Sequence, residues 1–161
     1  MGAMAESVVE RAAIAAPPRR VWDLISDVTR MGEWSPETTS CRWESPADGA
    51  QVGARFSGSN RHGRRRWATS CTVTAADPGR LFAFEVTSLG MRVAEWSYAL
   101  VPMGDTGGGC ELTETMVDQR ALPMRIIGRL ATGVGDRVTH NRAGMVKTLA
   151  AIKRAAESSA S

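Results

Sequence analysis

The stretch ARFSGSNRHGRRRWATSCTVTAA, residues 54–76, decides the fold. Its two halves alternate in side-chain character with a period of two, the pattern of half-buried strands. His62-Gly63 interrupts the alternation, and a two-residue loop there makes the stretch a hairpin. With that loop, Arg61 opposes Arg64, Asn60 opposes Arg65, Gly58 opposes Trp67 and Phe56 opposes Thr69. One face then carries Phe56, Gly58 and Asn60 on the first strand, with Arg65, Trp67, Thr69 and Cys71 on the second. The other face carries Arg55, Arg61, Arg64 and Arg66 with serines and threonines, and is the wet one. Gly58 would leave room for the Trp67 indole across the pair.

The basic cluster is thereby divided. Arg61, Arg64 and Arg66 point to solvent without an aromatic platform beside them. The net charge is only +3, from 20 basic and 17 acidic residues. Neither feature favours nucleic-acid binding, and no nucleic-acid partner is expected. Arg65 shares the inner face with Trp67 near the strand end, either at a pocket rim or with its stem on the indole and its head in water.

The same period runs outward from the hairpin. Strands are expected at 40–45, 81–88, 91–102 and 110–119, with "DPGR" (77–80) as a turn and a glycine-rich loop before the last strand. Residues 7–16 form a first strand. Pro17 and Pro18 then suit a helix start, and Val21, Trp22, Leu24 and Ile25 give it an apolar face. Asp27 and Thr29 cap a second short helix that carries Met31 and Trp34 and ends before Pro36. From Pro123 the period becomes 3.6, with Ile127, Leu130, Val134 and Val138 continuing into Met145, Leu149, Ile152 and Ala156. That predicts one terminal helix over 123–156, weakest at Gly133/Gly135.

The order implies an α+β protein. A curved seven-stranded antiparallel sheet wraps around a long C-terminal helix, and two short helices follow the first strand. One domain spans 7–156, consistent with 161 residues. Residues 1–6 read as a leader left by cloning, with Met4 the native start, and 157–161 as a frayed tail. Three cysteines, odd in number and without ligand spacing, fit a reducing cytoplasm. The longest apolar runs are too short to span a bilayer, so no stable membrane insertion is expected. Five tryptophans against three phenylalanines and one tyrosine point to a roomy or lined interior.

Three segments together resemble a known family: APPRRVWDLISDVTRMGEWSPE, VGARFSGSNRHGRRRWATSCTVTAADPGRLFAFEV and EWSYAL. They are similar to the polyketide cyclase/dehydrase group of the SRPBCC superfamily, relatives of START lipid-transfer and birch-pollen-allergen proteins, over roughly residues 7–155. The resemblance implies a helix-grip fold around a hydrophobic cavity. It carries over no catalytic residue.

The residues expected to meet a ligand follow from the strand faces. Phe56, Asn60, Arg65 and Trp67 come from the hairpin. Phe84, Trp96, Tyr98 and Glu114 come from the later strands. Met145 and Leu149 come from the terminal helix, and Trp34 from the entrance. Glu114 alternates with Leu112 and Met116 and therefore faces inward, where a carboxylate needs a partner or a raised pKa. Arg65 is one candidate partner. The pair would be either a structural ion pair or a device that orients a ligand carbonyl or phenol. No metal site is expected, since His62 lies in a turn and His140 on the polar side of its helix. "GDTGGG" lacks the Lys-Ser/Thr of a phosphate loop, and no cofactor is expected.

Three functions fit. The first is a non-enzymatic carrier of a hydrophobic small molecule such as a polyketide, lipid, isoprenoid or quinone. The second is an aromatase/cyclase in which Arg65, Tyr98 and Glu114 position a poly-β-ketone. The third is a co-chaperone-like interaction module. The oligomeric state is left open, a homodimer included.

Overall fold

The computed structural model describes residues 6–158. The expected leader falls outside them save for Glu6, and residues 159–161 of the expected tail fall outside as well. Glu157 and Ser158 continue the last helix instead of fraying.

Seven strands form one antiparallel sheet: β1 (Ser7–Ile14), β2 (Thr38–Trp43), β3 (Arg55–His62), β4 (Arg65–Asp77), β5 (Leu81–Ser88), β6 (Met91–Met103) and β7 (Gly109–Asp118). Their spatial order is β1-β7-β6-β5-β4-β3-β2. Successive strands therefore neighbour one another, except that β1 and β2 occupy opposite edges. The chain crosses between those edges through α1 (Pro18–Ser26), a 3-10 turn (Val28–Arg30) and α2 (Met31–Trp34). Pro18 opens α1, where no backbone donor is missed. The Trp22 indole N–H donates to Leu81 O at 3.0 Å and ties α1 to the sheet. The Asp27 carboxylate accepts from the Thr29 backbone N–H at 3.2 Å and caps the 3-10 turn.

The expected hairpin is present, but its loop is Gly63-Arg64 and not His62-Gly63. His62 pairs with Arg65, Asn60 with Trp67, and Gly58 with Thr69. Gly63 takes φ +60°, the left-handed value that a two-residue hairpin loop demands of its first residue when that residue is glycine. The slip moves each partner by two positions, so the side chains keep their faces. The reason for Gly58 changes: a Cβ there would lie 2.8 Å from Thr69 Oγ1. Thr69, and not Trp67, occupies the space opposite.

The terminal helix breaks at the expected place. Gly133, at φ +73°, ends α3 (Leu122–Thr132) by returning its N–H to Arg129 O. Asp136 then accepts from the Thr139 backbone N–H at 3.1 Å and starts α4 (Arg137–Ser158). The single apolar stripe does not survive the break. Met145, Leu149, Ile152 and Ala156 are buried on α4, whereas Ile127 and Leu130 on α3 are exposed. Met124, Gly128 and Thr132 form the inward line of α3 instead.

The core lies between the sheet, α1 and the C-terminal half of α4, and includes Val21, Phe82, Leu112 and Ile152. Phe56 and Phe84 meet edge-to-face at 5.2 Å within it. Among the described residues no helix is long and apolar enough to cross a membrane.

Candidate functional site

A cavity of about 600 Å³ lies between the sheet, α3 and the N-terminal half of α4. Trp67, Asn60 and Phe56 of the hairpin line one side of it. Phe84, Trp96, Tyr98 and Glu114 line the floor, and Met145 faces them from α4. These are expected residues. Three others lie elsewhere. Trp34 and Leu149 belong to the buried core. Arg65 is exposed, and its Nη1 donates to Leu130 O at the end of α3. Its guanidinium also packs on Gly133, where a Cβ would stand 2.7 Å from Nε. The last carbonyls of a helix attract a cation, and this one draws Arg65 off the cavity.

Arg65 is therefore not the partner of Glu114. The two lie three strands apart, at a hairpin tip and mid-sheet. Glu114 sits directly opposite Tyr98 on the β6–β7 ladder. The Tyr98 hydroxyl donates to Glu114 Oε1 at 2.8 Å. Glu114 is 2% exposed, and its Oε2 has no hydrogen-bond partner. Burial pushes the carboxyl up to about 8, against the opposing pull of the Tyr98 hydrogen bond. The Tyr98 phenol is raised well above its ordinary range by burial and by Glu114 beside it. At neutral pH the carboxyl is thus uncharged. Oε1 accepts from Tyr98, which leaves the enclosed Oε2 as the oxygen for the proton of the neutral acid.

Asn60 is satisfied internally. Asn60 Nδ2 donates to Thr69 Oγ1 at 3.2 Å, and its Oδ1 accepts from the Thr38 hydroxyl at 3.1 Å. Burial raises Cys41 to about 11 and Cys71 to about 12, so these thiols stay protonated and inert. Asp118 is buried, but its ion pair with Arg120 at 2.8 Å holds it below the ordinary carboxylate range. No group of three or more His, Cys, Asp or Glu side chains capable of holding a metal occurs among the described residues.

One cluster escaped the sequence. His140 does not lie on a solvated face of its helix; it is half-buried and lines the cavity. Its Nε2 lies 2.7 Å from Glu37 Oε2, and Arg137 Nη1 donates to both Glu37 oxygens at 2.8 and 2.9 Å. His62 meets His140 edge-to-face at 4.9 Å, and the Arg137 guanidinium stands over Trp67 at 5.5 Å. The cluster fastens the segment after α2 to the start of α4. The four-residue spacing of His140, Gly144 and Thr148, alongside Met145, was the available signal, masked by the assumption of one unbroken helix.

A curved antiparallel sheet, a terminal helix gripped by it and an aromatic cavity between them define a helix-grip protein of the birch-pollen-allergen type. The chain belongs to the family described as polyketide cyclase / dehydrase and lipid transport, whose profile matches residues 5–157. It is similar to the solution structure of the Polyketide_cyc-like protein Cgl2372 from Corynebacterium glutamicum. The two are 32% identical over 95% of this chain and 92% of that one, with a TM-score of 0.61. Two more distant structures share the fold alone. Major latex-like protein 151 from Panax ginseng is 11% identical over 96% of this chain and 99% of its own, with a TM-score of 0.70. The di-domain aromatase/cyclase StfQ of the steffimycin biosynthetic pathway is 13% identical, with a TM-score of 0.71; the match covers 98% of this chain and 52% of StfQ. No curated protein matches the sequence.

Proposed function

We propose that this protein reversibly binds a hydrophobic small molecule, of polyketide, isoprenoid, quinone or lipid type, in the cavity between the sheet and α3/α4. The observation that carries the reading is the Glu114 carboxyl. It is an uncharged, singly hydrogen-bonded acid on the floor of an aromatic cavity of about 600 Å³. A concave apolar site with one unsatisfied polar group binds by area and orients by that group. Oε2 is enclosed by its neighbours, so donation to a ligand carbonyl or ether oxygen requires the Glu114 carboxyl to turn toward the cavity. A neutral acceptor such as a ketone or quinone fits this position; an anionic carboxylate gains less once Glu114 ionises.

Quenching of Trp67 and Trp96 fluorescence by a hydroxylated quinone tests the reading. Saturable quenching that Trp67→Ala weakens supports it, and linear, unsaturable quenching contradicts it. A cyclase in the same cavity is the second reading. The neutral Glu114 is placed to polarise a ketone for an aldol-type closure, with Tyr98 holding it. Turnover of a poly-β-ketone, lost in Glu114→Gln while product still binds, would distinguish that reading from a carrier.

A further inference from the structure

Helix α3 buries a narrow line and exposes the rest. Leu122, Ile126 and Leu130 recur one turn apart and are 70%, 55% and 70% exposed. Ile127 beside them is also exposed, and it lines the cavity. Leu89 does both as well. It is 78% exposed at the tip of the β5–β6 hairpin and takes φ +54°, a left-handed conformation that a leucine adopts only under strain. The cavity therefore reaches the surface amid large apolar side chains that water, as a partner, disfavours.

The hairpin tip and α3 themselves contribute only basic charge, with Glu6 and Asp136 beside Arg125 and Arg129 at the margin. Residues 58–76 contain four arginines and no acid, and residues 119–135 contain three arginines and no acid. Arg120 is spent on Asp118. Arg61, Arg64, Arg65, Arg66, Arg125 and Arg129 are exposed and form no ion pair among the described residues. Arg65, bonded to Leu130 O, joins the β3–β4 hairpin to the end of α3.

We propose that α3, with the tips of the β3–β4 and β5–β6 hairpins, is a peripheral docking surface for an anionic lipid bilayer, against which the cavity opens. An apolar helical stripe between arginines is the pattern of a segment lying in the headgroup region. A second copy of the chain fits poorly, because a two-fold contact would set this basic patch against itself, with only Glu6 and Asp136 at its margin to offset the repulsion. Docking there brings Leu89 and Ile127 to the acyl boundary, and an apolar ligand then passes between bilayer and cavity without crossing water. The inference rests on the exposed surface and is independent of which ligand the cavity takes.

Flotation with vesicles tests it, using phosphatidylcholine alone and phosphatidylcholine mixed with phosphatidylglycerol. The wild-type protein is expected to partition onto the anionic vesicles at least about tenfold more than onto the neutral ones, and less as salt is raised. Ile126→Glu with Leu130→Glu abolishes partition while the circular dichroism spectrum and quinone quenching stay unchanged. Arg125→Gln with Arg129→Gln, which leaves the apolar stripe intact, lowers binding to anionic vesicles only. Equal binding to both vesicles, binding to neither, or a wild-type dimer that the glutamate variant dissociates would overturn the proposal.

Discussion

Tyr98 and Glu114 face each other across the β6–β7 ladder, joined by a hydrogen bond of 2.8 Å, and only one of the two carboxyl oxygens is used. A charged acid there would lack any cation close enough to compensate its burial, and Glu10 on β1 adds a further, weaker repulsion. The acid stays neutral, and neutrality gives it a donor on Oε2. Register supplies the contact, burial sets the protonation, and the cavity leaves the second oxygen unpaired.

That protonation is visible in stability. The unfolded chain releases the Glu114 proton near the ordinary 4.5, whereas the folded protein holds it to about 8. Between those values the native state binds more protons, so stability falls as pH rises. Glu114→Gln removes this slope and keeps the Tyr98 bond. The variant should follow wild type below about pH 4.5 and gain on it by roughly a few kcal/mol above about pH 8. Urea melts across this range check it; parallel curves for the two proteins would contradict a raised pKa.

Trp67 is half-buried, with the Arg137 guanidinium over its ring. Trp67→Ala should lower stability by less than the roughly 3–5 kcal/mol typical of a buried tryptophan. It should weaken ligand binding by about tenfold or more, since an aromatic wall of the cavity is lost. Fluorescence titration through Trp96, paired with a thermal melt, separates the two effects.

Glu37 holds Arg137 and His140 together, and Arg137 has few other partners in reach. Glu37→Ala leaves the Arg137 guanidinium and the His140 ring without their shared acceptor and should destabilise by about 1–3 kcal/mol. Glu37→Gln keeps one acceptor and should cost less. Because the cluster ties the segment after α2 to α4 over the cavity, Glu37→Ala should also speed ligand release, as read by stopped-flow displacement.

Gly58→Ala forces a Cβ to 2.8 Å from Thr69 Oγ1 and disturbs the hydrogen bond that Asn60 makes there. A loss of about 1–2 kcal/mol is expected. Thr69→Ala removes the clashing atom, so the double variant should lose less than the two single losses added together. Strict additivity in a denaturant cycle would show that another contact fixes Gly58.

The sheet was legible because its signals were local: period-two strands, turn residues between them, and two prolines at the first helix. Even the hairpin slip preserved the faces of Phe56, Asn60 and Trp67, since a slip of two positions keeps the pleat in phase. Arg65 was misplaced because alternation gives a face and cannot reveal a helix end arriving over it. His140 and the stripe on α3 were misread for one reason. Gly133 was recognised as a weak point, yet the apolar phase was carried through it, and a left-handed residue resets that phase. The Tyr98–Glu114 pair needed the register between two residues 16 positions apart on neighbouring strands, which no local pattern contains.

The most direct measurement is native mass spectrometry of the wild-type protein after incubation with a panel of quinones, isoprenoids, fatty acids and aromatic polyketides. The account predicts a noncovalent complex with one ligand of roughly a few hundred daltons, lost on denaturation and weakened in Trp67→Ala. A wild-type mass that stays unliganded across the whole panel would contradict it.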